Sequence, residues 1–267
     1  MQDEPIVSVI LVAFNEDVRL LKRSINSITQ QTLKNIELII VDDSTEQKTV
    51  DIINQISSMD HRIKVLRTEE KKIFSQALNL GLEKAKGKFI ARMDPDDISH
   101  PIRLESQVDF LENNPRYSIV GSAIQIIDEN GLEISSRKYP KSSSALKLWS
   151  IFRNPLAHPT VMMRRGIIDE GFLYDEDFSK AEDLELWLRL MNNNHKIYNL
   201  EQFLLSYRVV GNFSDKRFGE NFQYNFLARR KNFSWRKPIS GAISLVFAKM
   251  YTFVPKRLID SAYKITK

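Results

Sequence analysis

Two groups of aspartates follow predicted strands, at positions where a sheet can bind a ligand. Asp42-Asp43 comes directly after the apolar segment 36–41, and Asp94-Pro95-Asp96-Asp97 comes after the segment 89–93. In an open parallel sheet, ligands bind beyond the carboxyl ends of the strands, so we expect these carboxylates at one rim. Carboxylates held close together repel one another and need a cation among them. The sequence therefore predicts a site for Mg²⁺ or Mn²⁺, which combine one or two carboxylates with water and phosphate oxygens.

A structural role is the alternative for each aspartate group. Asp42 and Asp43 can form an Asx turn, and Asp97 can cap the helix that follows it. Either group alone is equally compatible with both roles. The presence of both groups at one predicted edge favours ligand binding.

Another acidic pair, Glu182-Asp183, begins a predicted helix whose apolar residues fix it in the core. An acidic first turn commonly does no more than complement the helix dipole. A carboxylate held there can also deprotonate a bound hydroxyl group. The residues alone leave both roles open.

Several common site chemistries are excluded by the composition. None of the nine glycines lie two residues apart, so no GxGxxG dinucleotide motif exists. Gly81 and Gly87 are separated by five residues, and no Ser or Thr follows Lys88, which excludes a P-loop. The chain has no cysteine and only four widely spaced histidines, which excludes thiolate and HExxH zinc sites and fits a reducing cytoplasm.

The apolar pattern predicts the elements that position the acidic residues. Val7 to Phe14 is an almost unbroken apolar run, which is typical of a strand buried on both faces at the centre of a sheet. Further strands are predicted at 36–41, 63–66 and 89–93, with helices between them, and Asn15 can cap the first helix. Four such repeats predict a parallel sheet with helices on both faces.

After Pro101 the pattern predicts a mixed α/β arrangement. The expected elements are a helix through Leu104 and Leu111, strands near 119–127, 160–164 and 203–210, a turn at 129–131 and a helix at 182–191.

The chain has 267 residues and an ordinary globular composition, with 42% hydrophobic and 27% charged residues. Its net charge of +5 is concentrated in residues 229–267, which contain ten Lys and Arg against Asp260 alone. We therefore expect one domain at 1–228, followed by a basic tail at 229–267.

The tail alternates basic clusters with apolar stretches, which predicts a basic amphipathic helical segment. Its cations would attract anionic lipid while Phe247, Tyr251, Phe253 and Leu258 enter the headgroup boundary, and no run is long enough to span a bilayer. Binding of nucleic acid, with Trp235 and Tyr251 stacking on bases, fits less well, and we do not expect a nucleic-acid partner. The alternative is a set of C-terminal helices that cover the core.

Taken together, the order and spacing of the motifs resemble those of family 2 glycosyltransferases with the GT-A fold. The resemblance covers about residues 5–210 and is carried by VSVILVAFNE, IIVDDST, ALNLGLEKAKGKFIARMDPDDISHPIRLESQ, AHPTVMMRR, AEDLELWLRL and YRV. It implies a mostly parallel central sheet flanked by helices, with a nucleotide-binding half at 1–100 and an acceptor half at 101–228 of the domain. It also implies an inverting enzyme that transfers a sugar from a nucleoside-diphosphate sugar.

The resemblance implies roles for several donor-site residues. Phe14 matches the aromatic residue that lies against the base, and Asn15 and Glu16, which complete the same motif, are expected to bind substrate. Asp43 matches the acid that accepts a hydrogen bond from uracil. The implied nucleotide is therefore UDP.

The remaining roles concern the metal and the reaction. Asp94 matches the residue near the ribose and the metal, and Asp96 matches the direct metal ligand. Asp183 matches the general base, with Glu182 beside it in the substrate site. Arg208 is expected to bind the diphosphate as a bidentate donor.

The sequence departs from the family pattern at two places. A histidine near the diphosphate is replaced here by Val209-Val210-Gly211-Asn212, so we do not expect a histidine ligand. Lys71-Lys72-Ile73 stands where relatives carry a glycine, so the loop above the sugar is expected to differ. His158 could serve the acceptor site, but a structural role is favoured for it.

These observations predict a metal-dependent, inverting hexosyltransferase that uses a UDP-sugar, with galactose or glucose as the transferred sugar. The expected acceptor is a sugar linked to undecaprenyl diphosphate, in bacterial O-antigen or other surface polysaccharide synthesis. The expected location is the cytoplasmic face of the inner membrane, with the tail on the membrane surface. A non-catalytic nucleotide-sugar or polysaccharide-binding module and a metal-dependent phosphohydrolase are the alternatives.

Overall fold

The computed structural model describes residues 4–210, 220–235 and 238–251. The strands are β1 (Val7–Ala13), β2 (Ile36–Asp42), β3 (Ile63–Arg67), β4 (Phe89–Met93), β5 (Ile98–Ser99), β6 (Ile119–Ile127), β7 (Glu133–Arg137), β8 (Met162–Arg164) and β9 (Ile197–Arg208). The helices are α1 (Val18–Thr29), α2 (Gln47–Met59), α3 (Phe74–Lys84), α4 (Arg103–Asn113), α5 (Ser143–Trp149), α6 (Gly166–Asp169), α7 (Glu182–Asn192), α8 (Glu220–Lys231) and α9 (Pro238–Tyr251), with a 3-10 helix at His158–Thr160.

One sheet runs through the protein in the order β3-β2-β1-β4-β8-β6-β9-β5, and β7 pairs with β6. Strands β1 to β4 are parallel to one another, whereas β8 pairs antiparallel with both β4 and β6. Every residue of β1 is buried, as expected for a central strand. The predicted parallel first half and mixed second half are confirmed.

Helices cover both faces of the sheet because alternate residues of each buried strand point to opposite sides. Val9 and Leu11 of β1 pack into a cluster with α1, α2 and α4, whereas Ile10 and Val12 pack into a second cluster with α3 and α7. The sheet is thus fixed from both sides, which holds its carboxyl edge in place.

The first helix begins differently from the prediction. Asp17, and not Asn15, caps α1, because the Asp17 carboxylate accepts hydrogen bonds from the backbone N–H groups of Arg19 and Leu20 at 2.8 and 3.2 Å. Asn15 has a left-handed backbone with φ of 51° and turns the chain before the helix. Its side chain is therefore directed elsewhere.

The second half contains elements that the apolar pattern did not predict. Strand β7 and helix α5 carry mainly exposed residues, so neither produces a clear apolar period. Strand β9 begins at Ile197, earlier than the predicted start at 203, and the predicted strand at 160–164 divides into a 3-10 turn and β8.

The C-terminal helices pack against the rest of the domain. Helix α8 continues across residue 229, where the domain was predicted to end and the basic tail to begin. The separate function of the tail stays a prediction. The Ser244 hydroxyl of α9 donates to the Ile151 carbonyl at 2.9 Å, and the ring of Phe247 meets that of Phe152 at 5.0 Å. Phe247 is half-buried and contacts Phe152. Its expected place in a membrane interface stays a prediction.

A different face of α9 is exposed. Ile239, Ile243, Val246 and Met250 recur at helical spacing and are all exposed. The predicted roles of Phe253 and Leu258, and of the Tyr251 side chain, lie outside the described residues, as do Gly211 and Asn212. Within the described residues, no helix has the length and hydropathy needed to cross a bilayer.

Candidate active site

The loop after β4 gathers three carboxylates at the carboxyl edge of the parallel strands. Oxygen atoms of Asp94, Asp96 and Asp97 all lie within 4.8 Å of one another, with Asp97 buried and the other two partly exposed. The predicted clustering of the aspartates after β4 is confirmed, whereas Asp42 and Asp43, which were expected at the same rim, are not part of this three-residue group.

Asp97 braces the loop from inside and does not cap α4. One carboxylate oxygen accepts a hydrogen bond from the backbone N–H of Arg208 at 2.7 Å. The other oxygen is buried without a hydrogen-bond partner in the described part of the chain. Burial, followed by the charges of Asp94 and Asp96, raises the pKa of Asp97 well above its usual range.

The side chain of Arg208 holds the loop after β4 in place. Its Nε donates to the Asp96 carbonyl at 2.8 Å, and its Nη1 donates to the Asp128 and Glu129 carbonyls at 2.8 and 3.1 Å. The side chain is almost fully buried. These contacts give Arg208 a positioning role, because most of its donors are already used. Its expected contact with a diphosphate stays a prediction.

Arg92 is a buried cation in β4 that sequence reasoning did not single out. Its guanidinium forms an ion pair with Asp94, while its Nε and Nη1 are buried without hydrogen-bond partners among the described residues. Burial opposes the charge, but Asp94 outweighs it and raises the pKa of Arg92 above its ordinary value. The signal in the sequence was a single arginine inside an otherwise apolar strand, because such a charge is rarely buried without a specific role.

The carboxylates after β4 fit a divalent cation. Hard oxygen ligands suit Mg²⁺ and Mn²⁺, and close carboxylates need a positive charge among them. Arg92 supplies part of that charge to Asp94. The buried, unpartnered oxygen of Asp97 and the raised pKa of its carboxyl indicate that the cluster is still deficient in positive charge.

The predicted base-binding residues meet at the ends of β1 and β2. The backbone N–H of Asp43 donates to the Ala13 carbonyl at 2.9 Å, which brings Asp43 beside the partly exposed Phe14. The ammonium of Lys71 lies 4.5 Å from the centre of the Phe14 ring. The backbone N–H of Lys72 donates to the Asp43 carboxylate at 3.1 Å. The segment that departs from the family pattern thus contacts both residues.

Neighbouring polar residues stabilise this corner. The Asp42 carboxylate accepts from the Ser44 N–H at 3.0 Å, which is the Asx turn considered above, and it pairs with Arg67. The Asn15 side chain accepts from the N–H groups of Thr45 and Glu46, both at 2.8 Å. Asn15 therefore joins the loops that follow β1 and β2.

Glu16 lies half-buried just before α1. Its carbonyl accepts a hydrogen bond from the Thr49 hydroxyl at 3.4 Å. The expected contacts of Asn15 and Glu16 with substrate stay predictions.

A strained turn presents the acidic pair of α7. Ala181, the residue before the helix, has φ of 56°, a conformation that costs energy for any residue with a β-carbon. Asp183 is held by two donors: the Asn154 amide at 2.5 Å and the Leu184 N–H at 2.7 Å. The turn and these donors fix the direction of the Asp183 carboxylate.

Glu182 is buried and has a different electrostatic character. Burial, followed by the nearby charge of Asp183, raises the pKa of Glu182 to about 8. His158 lies 3.6 Å away, and its other ring nitrogen hydrogen-bonds the Tyr174 hydroxyl at 2.7 Å. Burial and the charge of Arg92 lower the pKa of His158 well below its usual range. Burial therefore favours the protonated form of Glu182 around neutral pH, whereas Asp183 is the less buried carboxyl group of the pair.

These groups line a cavity of about 760 Å³. Arg92, Asp94, His158, Glu182 and Asp183 all contribute to its wall. The fold thus brings the first residue of the Asp94 turn and the acidic pair of α7 to one space, although they are far apart in the sequence. The described cavity lining does not include Phe14, Asn15, Glu16, Asp43, Asp96 or Arg208.

A parallel sheet that ends in this Asp-x-Asp turn, beside an acidic helix start, defines a glycosyltransferase with the GT-A fold. Residues 8–172 match the family model of glycosyl transferase family 2. The chain belongs to that family.

Curated relatives and solved structures agree with this assignment. The chain is 34% identical to an uncharacterized glycosyltransferase of Methanocaldococcus jannaschii, over 78% of this chain and 72% of the relative. It is 36% identical to the O-antigen biosynthesis glycosyltransferase WbnJ of Escherichia coli, over 76% of this chain and 79% of the relative.

Among solved structures, residues 1–349 of S. aureus TarS, in complex with UDP-GlcNAc, match with a TM-score of 0.69 and 18% identity. The match covers 92% of this chain and 73% of that one. The chain spans only 44% of the longer TarS chain. At this identity, the likeness shows the shared fold.

The raised pKa of Glu182 predicts that this residue destabilises the fold increasingly as pH rises. The unfolded chain releases this proton near pH 4.5 and the folded protein near pH 8, so the folding free energy contributed by Glu182 becomes less favourable as pH rises between them. Glu182→Gln removes that dependence. We expect the free energy of unfolding of Glu182→Gln, relative to the wild type, to increase from pH 5 to pH 8 in urea titrations. If the free energies of unfolding of the two proteins changed in parallel with pH, the raised pKa assigned to Glu182 would be contradicted.

Proposed function

We propose that this glycosyltransferase transfers a hexose, galactose or glucose, from a UDP-sugar to a sugar linked to a lipid diphosphate. The reaction would belong to bacterial O-antigen or related surface polysaccharide synthesis. The observation that carries the proposal is the shared cavity of Asp94 and Asp183, which come from the donor-side loop and from α7. The name of the WbnJ relative supports the choice of pathway.

The donor is proposed to bind at the ends of β1, β2 and β4. Phe14 would lie against the base and Asp43 would accept a hydrogen bond from uracil, and the two residues are adjacent. The TarS structure with UDP-GlcNAc supports a UDP-sugar as donor. Lys71 adds positive charge beside the Phe14 ring, and the Lys72 N–H orients the Asp43 carboxylate.

Asp94 and Asp96 are proposed to hold Mg²⁺ or Mn²⁺. When bound, the cation would neutralise the charge of the diphosphate leaving group. The chain's own contribution is to keep the loop rigid through Asp97 and Arg208. Arg92 would balance the charge of Asp94 from the protein side.

Asp183 is proposed as the general base of a single displacement, which inverts the configuration of the transferred sugar. Its carboxylate would accept the proton of the acceptor hydroxyl group as that oxygen attacks the sugar. Asn154 and the Leu184 N–H orient the carboxylate. Glu182, mainly protonated at neutral pH, would leave Asp183 as the proton acceptor of the pair.

The protein is proposed to bind the cytoplasmic face of the inner membrane through its C-terminal segment. The exposed residues of α9 support this proposal, together with Trp235, which is 85% exposed. Exposed apolar and aromatic residues beside basic ones are typical of helices that lie in a lipid interface.

Asp183→Asn is expected to lower the transfer rate by about 10²–10⁴-fold, because the amide keeps the geometry but cannot accept a proton. The dissociation constant for UDP-sugar should remain unchanged. Steady-state kinetics and calorimetric titration of donor would measure both effects. Glu182→Gln serves as the control and should retain more activity. A normal Asp183→Asn enzyme with an inactive Glu182→Gln enzyme would reverse the assignment.

Transfer should require Mn²⁺ or Mg²⁺, and Asp96→Asn should weaken cation binding and reduce transfer by about a hundredfold or more. Binding of Mn²⁺ is measured by electron paramagnetic resonance and folding by circular dichroism. Asp51→Asn, a change at an exposed aspartate in α2, should leave both properties intact. Full turnover in excess EDTA would refute the proposed cation dependence.

Membrane attachment predicts that the protein cosediments with anionic liposomes and detaches at high salt, because salt screens the basic charges. The double variant Ile239→Glu, Ile243→Glu should bind less, because both residues are exposed on α9. Met59→Glu, at an exposed residue of α2, should bind like the wild type. Equal sedimentation of all three proteins would exclude α9 as the attachment site.

A further inference from the structure

The cavity that contains Asp183 continues to the C-terminal helices. Its wall includes Phe222 and Arg229 from α8 and Phe247 from α9, in addition to the acidic pair of α7. Ser244 and Phe247 dock α9 on residues 151 and 152, so this wall belongs to the folded domain. The position of these helices brings residues from the basic tail to the acceptor side of the site.

Arg229 is a buried cation in the wall of this cavity. Only 5% of it is exposed, and its Nη1 has no hydrogen-bond acceptor among the described residues. Burial lowers the pKa of Arg229 to about 10, and no carboxylate in the described chain counters this effect. The side chain therefore stays charged at neutral pH. An unpaired buried charge destabilises a fold, so its presence calls for a ligand.

The two cations that follow Arg229 in α8 have different surroundings. Lys231 forms an ion pair with Asp175. Arg230 is exposed to solvent. Of these three consecutive cations, Arg229 alone is buried, lines the cavity and has no carboxylate partner in the described structure; it lies between this cavity and a smaller pocket bounded by α7 and α9.

The charge around Arg229 favours an anion with more than one negative charge. Arg137, Arg153 and Lys180 also line the cavity. Its acidic lining residues are already compensated or assigned: Asp94 pairs with Arg92, and Glu182 is mainly protonated at neutral pH. The cavity wall thus carries several positive charges, and among them Arg229 is buried with an Nη1 that has no acceptor in the described part of the chain.

Aromatic rings flank these cations. The guanidinium of Arg153 lies 5.6 Å from the centre of the Trp149 ring, and Phe152 contacts Phe247. Such rings can pack against the apolar face of a sugar or against a lipid chain, whereas a guanidinium binds phosphate through two parallel hydrogen bonds. The combination fits a phosphorylated glycolipid better than a neutral sugar.

We infer that Arg229 binds the phosphate or diphosphate group of the acceptor and thereby selects phosphorylated acceptors. The inference rests on the proposed function, since it assigns a specificity-determining residue to the acceptor site. The anion would hold the acceptor in the cavity while the acceptor hydroxyl reaches Asp183. The lipid chain would leave towards the exposed side of α9.

Inorganic pyrophosphate provides a direct test on the full chain. It is titrated calorimetrically in EDTA, which keeps it from binding the donor site through a metal. We expect R229Q to bind roughly ten- to a hundredfold more weakly than the wild type, as for the loss of hydrogen bonds to a charged group. R230Q, the same change at the exposed neighbour, should bind like the wild type. Equal affinities of R229Q and wild type would overturn the inference, whether or not the protein transfers sugar.

Thermal unfolding separates a binding role from a structural one. If Arg229 binds a ligand and does not stabilise the fold, the free protein should become more stable when an apolar side chain replaces this unpaired buried charge. The Tm of R229M without ligand should therefore rise by about 2–4 °C. A lower Tm would mean that the charge stabilises the fold, which contradicts the inference. R229K, which keeps the charge, should retain part of the pyrophosphate affinity.

Acceptor kinetics distinguish the source of the anion. The wild type should prefer a sugar linked to a short polyprenyl diphosphate over the same sugar with a neutral alkyl group. R229Q should raise KM for the diphosphate acceptor at least tenfold, with little change in kcat or in KM for the donor and the neutral acceptor. A raised KM for the UDP-sugar instead would assign Arg229 to the donor diphosphate and overturn the inference. If no acceptor is glycosylated, the proposed function fails, while the pyrophosphate result still decides the role of Arg229.

Discussion

Compensation of buried charge at the end of β4 is the constraint on which the site depends. Three carboxylates within 4.8 Å of one another would repel each other if the surrounding protein were apolar. Arg92 balances Asp94 from within the strand, and the Arg208 backbone N–H binds Asp97. Arg103, also fully buried, donates to the Arg92 carbonyl at 2.8 Å and supports the strand from α4. The loop can therefore keep its acidic groups at the sheet rim.

The acidic pair of α7 shows how environment separates two neighbouring carboxyl groups. Glu182 is buried against His158 and retains its proton near neutral pH, whereas Asp183 is only half-buried and accepts hydrogen bonds from Asn154 and Leu184. Different surroundings commonly divide acid and base roles between adjacent carboxyl groups. The strained backbone at Ala181 is consistent with a functional constraint, because the fold maintains it beside the cavity.

The C-terminal helices have two distinct surfaces. One surface carries Phe247 and Arg229 and closes the cavity, and the other exposes Ile239 and Ile243. The basic C-terminal segment therefore has one surface that faces the cavity and another that faces solvent, although its composition does not distinguish them. This arrangement would place a membrane-bound acceptor close to the groups that act on it.

The sequence by itself determined the parallel first half of the sheet, because buried strands have continuous apolar runs and parallel strands end at one edge. It also identified the aspartates after β4, because ligands bind beyond the carboxyl ends of parallel strands. The acidic start of α7 was recognised through the resemblance to the family, since the residues alone left its role open. Only the tertiary structure decided that Asp17 caps α1, that Phe247 contacts Phe152, and that Arg92 and Arg229 are buried cations at the cavity. These properties depend on contacts between residues distant in the chain, and such contacts leave no period in the local sequence.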